Sequence, residues 1–248
     1  IMNYHRENAK FYTVKSGETL IMIANLFGIE VGDLRAANPH LNEYNLSPGE
    51  LIIIPGRKKD LIPGPLPVNR EILELNNAFR MLWEQHIVWT RIVISDIVFE
   101  NPELDFAIAR LLQNPEDFGA QLAKFYGAAF GREFASLMRD HLTIAAELAQ
   151  AAFSGDNQKF AELNRSWFQN ADAMSRALAS VNPYWGYKRW REMFGEHLNL
   201  VLEEATLFIE NRLEENVRLF DKMERQALMM ADFMTRGIVS QFFCNFCA

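Results

Sequence analysis

The chain has 248 residues, 49% of them apolar, and a formal net charge of −7. That length and apolar share suit one small module plus one sizeable helical domain with material for a core. The acidic balance argues against a nucleic-acid partner, since Arg57-Lys58-Lys59 is the one short basic run, and no apolar stretch is long enough to span a bilayer.

Residues 1–9 read as an N-terminal extension. The first ten residues, IMNYHRENAK, lack an apolar secretion core, so the sequence predicts synthesis in the cytoplasm without a visible signal peptide. From residue 10 the pattern becomes regular. Phe11 to Val14 alternates bulky and polar residues as a short strand, and Ser16-Gly17 turns the chain into a helix that starts near Glu18 and ends at Gly28. A second short helix, roughly Val31 to Ala37, stops at Asn38-Pro39, because a residue before proline avoids helical dihedrals. Leu51 to Ile54 returns as a strand. The order strand, helix, helix, strand would pair the two strands and bury Leu20, Ile23, Ala24, Leu26 and Leu34 in a module spanning residues 10–56.

Three turns carry a resemblance: Gly-Glu-Thr-Leu (Gly17 to Leu20), Ala-Asn-Pro-x-Leu (Ala37 to Leu41) and Leu-Ser-Pro-Gly-Glu (Leu46 to Glu50). With them, the stretch from Tyr12 to Pro55 resembles the LysM family. The resemblance implies a shallow groove between the first two turns that binds N-acetylglucosamine glycans such as peptidoglycan or chitin. Backbone amides would read the N-acetyl groups, and small side chains would let the sugar approach. Carried over to this chain, the groove would use Gly17, Glu18, Thr19, Leu20 and Ile21 on one side and Asn38, Pro39, His40 and Leu41 on the other. Glu18 stands where an Asp is common. Read without the resemblance, Thr19 is a helix cap and Pro39 a helix stop.

Residues 57–68 (RKKDLIPGPLPV) hold three prolines and a glycine, a stiff and extended linker that marks a domain boundary. Beyond it, residues 69–241 are predicted to form an all-α bundle. Breaks at Asn101-Pro102, Asn114-Pro115, Gly127, Ser154-Gly155, Asn182-Pro183 and around Asn211 divide it. The pieces run about 69–99, 103–113, 116–126, 128–153, 156–181, 187–210 and 212–241. The fold expected is thus a small α+β module (βααβ) followed by a helical bundle.

Near-heptad spacing assigns a core-facing seam to each long helix. The first offers Ile72, Leu75, Phe79, Leu82, His86, Trp89, Val93 and Ile97; the 128–153 helix offers Phe130, Phe134, Leu137, His141, Ile144, Leu148 and Ala152. The next two carry Trp167, Ala171, Met174 and Leu178, then Trp190, Phe194, His197, Val201, Glu204 and Phe208. The last uses Val217, Phe220, Glu224, Ala227, Ala231, Met234 and Ile238. Asn170 and Asp172 flank a seam rather than occupy it. All three bundle histidines fall on seams of different helices, which chance would produce in about one case in thirty if a third of helix positions face the core. Imidazole and carboxylate on facing helices are ligand types of metal-binding bundles, so His86, His141, His197 and Glu204 form a candidate transition-metal set, with Glu224 able to join. A histidine on a helix seam is also often a core residue hydrogen-bonded to a neighbour. No Glu-x-x-His pair of the di-iron type occurs, and no cofactor other than that metal is expected.

The helical part looks like a group of proteins common in spore-forming Gram-positive bacteria, on LWEQHIVWTR (Leu82 to Arg91), the Arg-Leu-Leu-x-Asn-Pro-x-Asp-Phe pattern (Arg110 to Phe118) and NADAMSRALASVNPYW (Asn170 to Trp185). Such proteins are sometimes labelled acetylglutamate kinase. The sequence does not support that label, because it has no Gly-rich phosphate loop, and no hydrolase elbow is present either. Residues 242–248 form an aromatic tail in which Phe242, Phe243, Cys244, Phe246 and Cys247 read as interaction residues. The function expected is a non-enzymatic protein of the cell wall or spore envelope, binding glycan through the module and forming a homo-oligomer or recruiting envelope proteins through the bundle. A wall-targeted metal enzyme or sensor, and a phage-like structural protein, are the alternatives.

Overall fold

A computed structural model describes residues 10–27, 31–38, 46–54 and 69–246. The chain divides into two compact units, Ile1–Asp60 and Leu61–Ala248. In the first unit, β1 (Lys10–Thr13) pairs antiparallel with β2 (Leu51–Ile54), Lys10 opposite Ile54 and Thr13 opposite Leu51. Two helices lie between them in sequence, α1 (Leu20–Phe27) and α2 (Val31–Ala37). Val14, Leu20, Ile23, Ala24, Leu34, Ile52 and Ile54 make the core, with Tyr12 and Phe27 in edge-to-face contact at its rim. Leu26, expected inside, is instead 62% exposed. The reason is phase: Ile23 and Ala24 hold the inward face of α1, and Leu26 falls on the opposite side with Met22.

The second unit contains α3 (Arg70–Val98), α4 (Leu104–Leu111), α5 (Asn114–Ser154), α6 (Asn157–Val181), α7 (Tyr187–Ile209) and α8 (Leu213–Gln241). Capping sets several boundaries. Asn69 accepts from the Ile72 amide and Asp156 from the Lys159 amide, while Gly155 takes the left-handed conformation (φ 73°) that ends α5. Helix α5 is two limbs. Gly127 interrupts it at φ 85°, ψ 161°, where a side chain would be strained, and the limbs then meet at Gly119 and Gly131. A Cβ on either of these glycines would lie 2.5 Å from the other's carbonyl oxygen. The chain therefore reverses where the sequence predicts a break.

Trp83, Trp167, Trp185 and Trp190 are fully buried, whereas Trp89 is half-buried beneath the Arg110 guanidinium at 5.4 Å. The seam of α8 differs from the one expected at its start. Val217 is 61% exposed and Glu224 lies outside the core, while Asn216, Leu219, Met223 and Gln226 face inward. The inward face of the first turns of α8 lies one position before the expected seam, at Asn216, Leu219 and Met223 in place of Val217, Phe220 and Glu224. No helix among the described residues is long and apolar enough to cross a membrane.

Candidate functional site

The first turn of the small module is built by Glu18. Its carboxylate accepts from the Tyr12 hydroxyl at 2.7 Å and from the Lys15 amide at 2.8 Å, and these bonds, the amide foremost, hold its pKa below the ordinary carboxylate value. Gly17 supplies the positive φ of 82° that the turn requires. Thr19 caps α1, its hydroxyl accepting from the Met22 amide at 3.3 Å. Gly17 and Thr19 are exposed, and so is Ile21 at 61%. Leu20 points the other way, into the core at 3% exposure, so its side chain cannot face a sugar.

Asn38 turns its side chain inward. Expected on the opposite wall of the groove, it is buried, and its amide clamps α2 to β2. Nδ2 donates to Leu34 and Ile53 carbonyls, Oδ1 accepts from the Ile53 amide at 2.7 Å, and its own amide donates to Arg35. It shapes the unit from inside. Pro39, His40 and Leu41 lie outside the described residues. Among the described residues, the exposed face of the first turn is formed by Gly17, Thr19 and Ile21, with Met22 beside them.

In the bundle the three histidines converge. The ring centroid of His86 lies 5.4 Å from that of His197 and 6.4 Å from that of His141, and each of the three residues is 2% exposed. Trp83 lies edge-on to His86 and His197, and Trp167 stacks on His141. Burial, reinforced by the neighbouring imidazoles, pushes His141 down to about 3 and holds His86 well below its ordinary value; burial alone pushes His197 down to about 4. The rings are therefore neutral at ordinary pH.

One hydrogen-bonding pattern occurs three times. Asn114 bonds Nδ1 of His86 at 3.2 Å and donates to the Leu82 carbonyl at 2.9 Å. Asn170 bonds Nδ1 of His141 at 3.0 Å and donates to Leu137 at 2.9 Å. Gln226 bonds Nδ1 of His197 at 3.3 Å and donates to Met193 at 2.9 Å. In every case the carbonyl belongs to the residue four before the histidine. Because that carbonyl demands the amide's N–H, the amide oxygen is the atom that faces the ring, and Nδ1 carries the hydrogen. Asn170 and Gln226 escape sequence reading: Asn170 flanks a seam, and Gln226 sits two residues after Glu224, the position that heptad spacing turns inward. Asn114 is legible only as a helix-boundary residue.

Glu204 does not join the histidines. Its Oε1 accepts from Arg91 at 2.5 Å, and the Arg91 guanidinium lies 4.9 Å from both the Phe208 and Phe220 rings. Burial raises the Glu204 carboxyl to about 7 against the pull of Arg91, and its Oε2 has no partner among the described residues. The four-residue set with Glu204 is therefore not assembled, and among the described residues no group of three or more His, Cys, Asp or Glu is placed to hold a metal ion as it stands.

Of the tail residues, Phe242 and Phe246 pack on their own chain. Both contact the Phe125 ring, at 5.7 and 6.4 Å, and Asn69 donates to the Phe246 carbonyl. The segment Phe243–Phe246 forms one 3-10 turn, with Phe243 53% exposed. Cys247 lies outside the described residues, as does the side chain of Cys244.

Comparison with known proteins bears on the first unit most directly. A family model described as LysM domain matches residues 12–55. The chain is also similar to a putative L,D-transpeptidase YkuD of Bacillus licheniformis, 35% identical over 136 residues, which is 54% of this chain and 73% of that protein. No solved structure gives a significant match. With the βααβ unit, the capped first turn and the family match falling on the same residues, residues 12–55 of this chain are a LysM domain.

Proposed function

We propose that this protein is a non-enzymatic component of the bacterial cell wall or spore envelope, which holds peptidoglycan through its LysM unit and assembles or recruits through its helical bundle. The observation that carries the reading is the LysM unit itself, whose first turn leaves Gly17, Thr19 and Ile21 exposed beside backbone able to read N-acetyl groups. The similarity to a putative L,D-transpeptidase supports a cell-wall setting. Acyl transfer is not part of the reading. That chemistry needs a nucleophile paired with a base, and the three bundle histidines engage Nδ1 with amide oxygens inside a packed core.

Co-sedimentation of the full chain with purified peptidoglycan tests the reading. The protein should pellet with the sacculi, and soluble N-acetylglucosamine oligomers should release it. Ile21→Arg should weaken binding at least tenfold, whereas Leu73→Arg, at an exposed position of α3, should leave it unchanged. A folded chain that stays in the supernatant refutes the proposal.

A further inference from the structure

We propose that His86, His141 and His197 together bind one divalent transition-metal ion through their Nε2 atoms. The argument starts from the three amides. Asn114, Asn170 and Gln226 each hold a hydrogen on Nδ1, so each neutral ring carries its lone pair on Nε2. Three neighbouring rings thus present three acceptors. A bridging water has only two hydrogens to donate and would leave one acceptor unsatisfied, whereas one cation satisfies all three.

The second argument is the surroundings. Metal-bound histidines almost always donate their other ring hydrogen to a carbonyl or carboxylate, which fixes tautomer and ring orientation. Here the fixing oxygen is an amide in all three cases, and each amide is itself anchored on the backbone of the histidine's own helix, at Leu82, Leu137 and Met193. Helices α3, α5 and α7 supply the rings, and α5, α6 and α8 the amides. A neutral imidazole set suits zinc, cobalt, nickel or copper ions, and three protein ligands leave a fourth position for water or a small anion.

Distance sets the condition for binding. Two imidazoles on a tetrahedral ion, with metal–nitrogen bonds of about 2.0 Å, have ring centroids about 5.3 Å apart. The His86–His197 separation of 5.4 Å meets this, and the His86–His141 separation of 6.4 Å is wider. That second separation exceeds the tetrahedral figure by about 1 Å, so the three rings, which hold no metal-binding arrangement as they stand, must draw closer for one ion to meet all of them. The inference is independent of glycan binding.

The experiment uses the full chain, purified without an affinity tag, stripped with chelator and titrated with Co²⁺ and Zn²⁺. Expected are one ion per chain, the visible absorption of tetrahedral Co²⁺ with nitrogen ligands, and a urea midpoint raised by Zn²⁺. His141→Gln and His197→Gln, checked for helical content, should lose at least tenfold in affinity. Asn170→Asp, which puts a carboxylate behind His141, should bind at least as tightly as the wild type. A chain with both His5→Ala and His40→Ala should titrate like the wild type. Failure of the wild-type chain to bind either ion at micromolar concentration overturns the proposal, as does undiminished binding by the folded glutamine variants. The wild-type Co²⁺ spectrum remains decisive if those variants do not fold.

Discussion

Asn114, Asn170 and Gln226 each connect a histidine to the backbone one turn before it, so a single amide satisfies a donor and an acceptor in the core. Gln226→Leu keeps the volume and removes both bonds, leaving the His197 Nδ1–H and the Met193 carbonyl with one partner fewer. Urea unfolding should show a loss of about 1–3 kcal/mol. The three imidazoles also make stability depend on pH. In the unfolded chain they take up protons near 6.5, while the folded rings refuse them until about 3 to 4 for His141 and His197, and well below the ordinary value for His86. Their contribution is complete above 6.5 and declines as the pH falls. Glu204 acts in the opposite sense: burial raises it to about 7, so its contribution is present below 4.5 and lost as the pH rises through 7. Three imidazoles outweigh one carboxyl between pH 6.5 and 4.5. With chelator present, the urea midpoint should therefore drop from pH 6.5 to pH 5, and a midpoint that holds steady or rises contradicts the assignment of neutral rings.

At the scale of elements, the reversal inside α5 rests on two glycines as well as on Gly127. Gly131→Ala places a methyl group 2.5 Å from the Gly119 carbonyl oxygen, and backbone on both sides must shift. Thermal melting should record a loss of about 1–3 kcal/mol, the range for overpacking a well-filled contact. The chain end offers a contrasting test. Gln241 bridges Val181 and Tyr126, and just beyond it Phe242 and Phe246 cover Phe125. A chain ending at Gln241 keeps α8 and loses those aromatic contacts. It should melt lower than the full chain, by about 1.5–3 kcal/mol for the burial of Phe246 alone. An unchanged melting temperature would mean that the tail is not held on the bundle in solution.

For the whole molecule, the prediction concerns number. On the proposed function, one LysM unit acting alone would anchor weakly, and several units on one assembly would raise the effective concentration at a polymeric wall. Light scattering should therefore give a mass above that of one chain, and Phe106, 78% exposed on α4, marks one apolar position that a neighbour would cover. Strictly monomeric behaviour at high concentration would remove assembly from the proposed function. Much of the architecture is already present in the order of residues. Helix limits follow from local signals such as Asn69, Asp156, Gly155 and Gly127, because caps and positive φ depend on neighbours in the chain. The LysM unit is legible for the same reason, since its turns are short sequence patterns. Even the convergence of His86, His141 and His197 can be read from helical phase. The partners of those histidines cannot. Asn114, Asn170 and Gln226 are 28 or 29 residues from the rings they hold, and their role depends on how neighbouring helices rotate and slide against one another. The same is true of Glu204, which phase alone puts on the histidine seam and which packing gives to Arg91. Sequence order determined where most helices begin and end and which way most of them face; only tertiary packing decided which polar groups meet, because a hydrogen bond is made over about 3 Å and helical periodicity does not locate atoms that finely across an interface.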